Sequence, residues 1–216
     1  MLLLGNFYLN TAIILLAAYL IGSIPAAYIA GRIKGIDIRK TGSRNVGGMN
    51  TFTSVGKIAG VIVALFDMGK GALVAWLAGI FSNHHLFVLL AAVVAAIIGH
   101  NWMIFIGFKG GKGLSTLVGA LFFLSPLSIL FLYLLFMAAA IILFRDTYVS
   151  QGMALFFFSF FMWYREGSYY WCIFLLLVTA VYSIKCYGLY RSYITEGRRD
   201  LNTVVIKIFK PFLPKK

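Results

Sequence analysis

Charge is scarce in this sequence. Only 12% of its 216 residues are Asp, Glu, Lys or Arg, while 62% are hydrophobic and the mean hydropathy is +0.93. A water-soluble chain of 24.0 kDa has too much surface to cover with so few charges, so ordinary globular, disordered and collagen-like classes are excluded. Acidic residues are scarcer still, six against nineteen Lys and Arg, for a net charge of +13. In a soluble domain that imbalance would suggest nucleic acid; in a membrane chain it can report orientation instead. Cysteine is limited to Cys172 and Cys186. Both lie in one apolar run, and a helix would hold them roughly 21 Å apart, too far for a disulfide. No Cys/His group has metal-ligand spacing, and no internal repeat or low-complexity linker is visible. The N-terminus lacks the basic stretch and small-residue cleavage site of a signal peptide, so the first apolar run is expected to be retained.

What is present is a series of apolar runs, at about 9–31, 57–81, 84–106, 114–124, 127–144, 148–163 and 169–187. They predict an all-α, polytopic integral membrane bundle of about seven transmembrane helices, with the fourth to sixth short or tilted. Ser125-Pro126 marks a helix boundary. A single helix over 114–144 would be about 46 Å long, well beyond a bilayer core. Seven spans place the segments after spans one, three, five and seven on one side. Those segments carry Arg32, Lys34, Arg39, Lys40, Arg44 and Lys57; Lys109 and Lys112; Arg145; and Lys185, Arg191, Arg198, Arg199, Lys207, Lys210, Lys215 and Lys216, seventeen of the nineteen basic residues. The positive-inside rule then puts the N-terminus outside and the C-terminus in the cytoplasm. This accounts for the charge without nucleic acid. Residues 1–216 read as a single membrane-embedded domain with a basic cytoplasmic tail at about 188–216.

Three places combine glycine or charge with membrane depth. Gly42-Ser43-Arg44-Asn45-Val46-Gly47-Gly48-Met49-Asn50 reads either as a polar connection or as an anion nest, with Ser43, Asn45 and Asn50 as neutral hydrogen-bonding groups beside Arg44. Phe108-Lys109-Gly110-Gly111-Lys112-Gly113 precedes the fourth span. Its glycines permit close approach of backbone to oxygen, the following helix offers unpaired N–H groups, and Lys112 adds a point charge. It is either a helix-entry turn or a phosphate cradle, and it lacks the spacer of a nucleotide P-loop. The third place is a set of isolated polar groups within spans: Ser23 in Gly22-Ser23-Ile24-Pro25, Asp67 and Lys70, and His100-Asn101. Asp67 and Lys70 share one helix face at i,i+3, which predicts a structural ion pair. His100 is balanced between a general base and an interface cap.

These segments, with Asp67-Met68-Gly69-Lys70-Gly71 and Gly99-His100, resemble the bacterial PlsY-type acyl-phosphate:glycerol-3-phosphate acyltransferases, in order and spacing through roughly residues 15–120. The resemblance implies transfer of an acyl group from acyl phosphate to the 1-hydroxyl of glycerol 3-phosphate. The products are lysophosphatidic acid and phosphate, a step of phospholipid biosynthesis without metal or nucleotide cofactor. Ser43 and Lys112 are implied as catalytic. Gly42, Arg44, Asn45, Gly47, Asn50, Lys109, Gly110, Gly111, Gly113, Lys185 and Arg191 are implied as substrate-binding, with Ser23, Asp67, Lys70 and His100 as structural polar groups. The implied partners are acyl phosphate, glycerol 3-phosphate, membrane lipid and an acyl-phosphate-producing enzyme, and the implied location is the bacterial cytoplasmic membrane.

The chain departs from the family pattern at several positions. Arg44 stands where Gly-Ser-Gly-Asn is usual, Thr53 stands where an arginine is usual, and alignment on Arg191 puts Lys185 at a histidine and Gly188 at an asparagine. Glu196 and Gly197 are present in reversed order. An active acyltransferase is the first expectation; a catalytically degenerate paralogue that binds acyl phosphate or another phosphorylated lipid precursor as a sensor or partner is the second. A transporter ranks below both, because the polar groups gather at one face and no repeat is visible.

Overall fold

The computed structural model describes residues 2–124, 127–144 and 147–195. Among them lie nine α-helices: α1 Leu2–Gly22, α2 Ala26–Ile33, α3 Gly48–Ser54, α4 Lys57–Phe81, α5 Leu86–Asn101, α6 Leu114–Leu124, α7 Leu127–Phe144, α8 Thr147–Glu166 and α9 Tyr169–Thr195, with a short 3-10 turn at Ile104–Ile106. The all-α membrane architecture is as expected. Among the described residues, four stretches, Asn6–Ile33, Lys57–Phe81, Leu86–Ile106 and Tyr169–Tyr187, are long and apolar enough to cross a bilayer, while Leu114–Leu124 and Phe131–Ile142 are apolar but shorter.

Two expectations are corrected. The first apolar run is not one helix. It breaks at Ser23-Ile24-Pro25, because proline lacks the N–H that would continue the α-helical ladder and disfavours helical backbone just before it. The first glycine-rich segment is not loop throughout either: from Gly48 onward it forms α3, so Asn50 sits on a helix. The boundary at Ser125-Pro126, Arg145, and the tail from 196 onward with Glu196 and Gly197 lie outside the described residues.

Small residues determine which helices meet. A Cβ on Gly22 would overlap the Ala96 carbonyl, and one on Gly99 the Tyr19 carbonyl, so α1 and α5 cross backbone to backbone. Gly71 against the Thr116 carbonyl and Gly119 against the Met68 carbonyl do the same for α4 and α6. Around these crossings, Val93, Ile97, Leu117 and Leu121 pack with Leu155, Phe158, Met162 and Leu175 into the main core. Hydrogen bonds tie α7 to α8: Gln151 donates to the Tyr133 hydroxyl, and Ser150 Oγ donates to the Ala140 carbonyl at 2.9 Å. A smaller cluster of Ala27, Ile38, Val46, Val63, Met103 and Ile106 fastens α2, the first glycine-rich segment and the 3-10 turn to α4.

Candidate functional site

The first segment is organised by one side chain. Asn50 is buried, and its amide donates to the carbonyls of Ile38 (3.3 Å), Thr41 (3.0 Å) and Asn45 (2.9 Å). Its Oδ1 accepts from the Ser43 N–H at 3.1 Å and from Ser54 Oγ at 3.2 Å. Both ends of the amide are thus committed to holding the loop and the end of α3. Asn50→Ala would leave several carbonyls and an N–H without their partner. It is expected to destabilise the protein by about 2–4 kcal/mol, seen as a lower thermal midpoint in detergent. Gly42 lies beside this amide at φ 60°, and a Cβ there would overlap both Asn50 Oδ1 and Ser54 Oγ.

Ser43 and Arg44 project from the loop into the open, and Asn45 is half-buried. Arg44 takes the left-handed backbone, φ 60°, which explains why glycine is at home in this position: an L side chain there is strained and glycine is not. Thr53 is exposed, and its hydroxyl donates back to the carbonyls of Met49 and Asn50, each at 3.2 Å, so it provides no outward-facing replacement for a cation. Upstream, Asp37 accepts from Arg39 Nε at 2.9 Å and from its terminal nitrogen at 2.8 Å. Those hydrogen bonds hold the Asp37 carboxyl well below the usual carboxylate range. The Arg39 guanidinium lies 4.6 Å over the Tyr28 ring, and Arg32 Nε donates to the Tyr28 hydroxyl at 2.9 Å. Tyr28 was not singled out from the sequence, although its i,i+4 spacing to Arg32 was a signal for it.

The second segment folds under the end of α5. Gly111 N–H donates to the His100 carbonyl at 3.0 Å, and a Cβ on Gly110 would fall on the His100 and Asn101 backbone. Gly113, at φ 80°, has the Ile97 side chain 2.6 Å from where its Cβ would be. Helix α6 begins at Leu114, leaving its first-turn N–H groups without intrahelical carbonyls. Lys112 is half-buried at that helix entrance, while Lys109 is exposed.

The two segments meet. A Cβ on Gly111 would stand 2.8 Å from the Val46 carbonyl and would overlap His100 Nε2, so the second loop presses on the first with the imidazole wedged against it. Beneath the junction lies the expected ion pair, Lys70 Nζ to Asp67 Oδ1 at 2.8 Å, almost completely buried, with His100 Nδ1 3.5 Å from the same oxygen. Ser23 Oγ donates to the Gly99 carbonyl at 3.3 Å. From α9, Lys185 donates to the Asn101 carbonyl and lies 5.4 Å over the Trp102 ring, which brings its charge to the C-terminal end of α5. The chain thus gathers the Ser43–Gly47 loop, the Gly110–Gly113 loop, His100 and Lys185 around one place. Arg191 lies on α9, its side chain outside the described ones.

An anion suits such a place: the half-buried Lys112 and the first-turn N–H groups of α6 bring positive charge beside the exposed Ser43 and Arg44. Comparison with known proteins agrees. The profile described as "Glycerol-3-phosphate acyltransferase" matches residues 12–192. Glycerol-3-phosphate acyltransferase 1 of Dehalococcoides mccartyi is 37% identical over 192 residues, 87% of this chain and 89% of its own length. Glycerol-3-phosphate acyltransferase 2 of Moorella thermoacetica is 45% identical over 139 residues, 64% of this chain and 69% of its own. The crystal structure of PlsY (YgiH), an integral membrane glycerol 3-phosphate acyltransferase, in its glycerol 3-phosphate form, superposes with a TM-score of 0.75 at 27% identity, covering 86% of this chain and 92% of that one. Its lysophosphatidic acid form gives 0.74 over the same shares. From the profile over most of its length and a relative that matches nearly end to end, the chain belongs to the glycerol-3-phosphate acyltransferase family.

Proposed function

We propose that this protein transfers the acyl group of an acyl phosphate to the 1-hydroxyl of glycerol 3-phosphate. The site faces the cytoplasm, and the N-terminus lies outside. It is a multi-pass bacterial membrane enzyme of phospholipid synthesis, and the degenerate-paralogue alternative is not favoured by relatives that carry the acyltransferase name. The observation that carries the reading is the contact of Gly111 with the Val46 carbonyl, which puts the Lys112 loop and the Ser43 loop side by side.

In the proposed reaction the 1-hydroxyl oxygen attacks the acyl carbon, a new ester C–O bond forms, and the bond from acyl carbon to phosphate oxygen breaks. Phosphate leaves with the electron pair and accepts the hydroxyl proton, so no strongly basic side chain is required. Lys112 and the first-turn N–H groups of α6 hold the phosphoryl group and offset the charge it gains. The Ser43 hydroxyl donates to the carbonyl oxygen as negative charge develops there. Lys185 and Arg44 supply cationic charge for the glycerol phosphate, in a site that has Thr53 where an arginine is usual. Lys185 has no acceptor to offer, so its task is electrostatic. An enzyme that makes acyl phosphate is the natural supplier, because that mixed anhydride is labile in water.

The purified protein in lipid, given acyl phosphate and glycerol 3-phosphate, is expected to release lysophosphatidic acid and phosphate in equal amounts. Absence of both products overturns the reading, and turnover with an acyl thioester alone overturns the donor.

A further inference from the structure

Three ionisable side chains beneath the site have no part in the reaction just described. Asp67, Lys70 and His100 are each at most 3% exposed, at a depth where ionisable groups are costly. If they served only to join helices, apolar residues of the same size would serve as well. Their connections suggest a more specific task. Lys70 Nζ donates to the Ile24 carbonyl at 3.3 Å, in the break between α1 and α2. Its other contact is Asp67, whose Oδ1 lies 3.5 Å from His100 Nδ1, close packing without a hydrogen bond. The opposite edge of the same ring lies against Gly111. The end of α5 is braced from α1 as well, by Ser23 on the Gly99 carbonyl and by the Tyr19 hydroxyl donating to the Trp102 carbonyl at 2.8 Å.

A line of contacts therefore runs from the helix break through Lys70, Asp67 and His100 to the second glycine loop. The imidazole cannot turn without losing Asp67 on one side or striking Gly111 on the other. Gly111 admits the ring because it has no side chain, and its own N–H is bonded to the carbonyl of the residue that bears the ring.

We propose that Lys70, Asp67 and His100 are positioning residues for the Gly110–Gly113 loop, holding Gly111 so that Lys112 meets the phosphoryl group of the donor. The proposal rests on the function given above. These side chains do not touch substrate; they act through the loop. Their loss slows the chemical step more than it weakens acceptor binding, and it loosens the loop itself.

The test compares the parent with His100→Ala and with a paired variant, Asp67→Asn plus Lys70→Met, which removes both buried charges together. Steady-state kinetics and limited trypsin digestion in detergent are measured on each. Both variants are expected to lower kcat by about 10- to 100-fold, with KM for glycerol 3-phosphate within about twofold. Trypsin is expected to cut after Lys109 and Lys112 several-fold faster, with cleavage after the exposed Lys57 as the unchanged reference. A folded paired variant with parental kcat and parental cleavage overturns the proposal. So does failure of both variants to fold, since the three groups are then scaffold alone. If the parent itself shows no turnover, the functional reading fails while the trypsin comparison still decides whether this chain of contacts holds the loop.

Discussion

Lys112→Ala is expected to lower kcat for acyl transfer by roughly 10²- to 10³-fold, the usual loss when a preorganised group facing developing charge is removed. Lys112 is half-buried just before α6, so its charge is screened less by water than on an open surface and attracts a phosphoryl group more strongly. In the proposed reaction the departing phosphate gains charge as its bond to the acyl carbon breaks. The lysine therefore contributes more in the transition state than in the bound donor, and kcat falls more than KM rises. Lys112→Arg is expected to recover only part of the rate, because a planar fork does not replace a compact point charge between glycines. A kcat for Lys112→Ala within about threefold of the parent would remove this lysine from the reaction.

Gly111→Val is expected to damage fold and activity together. Its side chain would enter space held by the His100 ring and stand 2.8 Å from the Val46 carbonyl, and the latter is backbone that cannot swing aside. Overpacking of this kind costs about 1–3 kcal/mol, occasionally more, which for a chain of this length lowers the thermal midpoint by roughly 2–12 °C. The larger effect is on turnover. The only relief is to separate the two loops, and a displacement of about 1 Å is enough to cost 10²-fold in rate. Gly69→Ala serves as the control, since Gly69 lies on α4 with nothing within 4 Å of where the added methyl group would stand, and alanine favours the helix. Equal midpoints and rates for the two variants would show that the loops do not depend on each other.

Much of this was legible from residues in order along the chain. The apolar runs at 114–124 and 127–144 correspond to α6 and α7, and the Asp67–Lys70 pair follows from i,i+3 spacing on one helix. Both glycine-rich segments stood out because glycine and charge are unusual beside membrane spans. The role of Asn50 was not legible: an amide in a polar loop looks the same whether it faces a substrate or holds five backbone and side-chain partners. Nor was the break at Pro25 placed, because hydropathy runs unbroken across it while the backbone does not.

Hydropathy and the order of charges belong to the chain before it folds. Membrane residence and the helical class could therefore be read directly, each depending on neighbours a few residues away. The wedge of His100 at Gly111, the contact of Gly111 with Val46 and the reach of Lys185 to Asn101 join residues 11 to 84 positions apart. Such contacts depend on how closely whole helices approach. That distance is set where bare glycine backbones cross, at Gly22 and Gly99 for one pair and Gly71 and Gly119 for the other, and no local pattern records which backbone each glycine will meet.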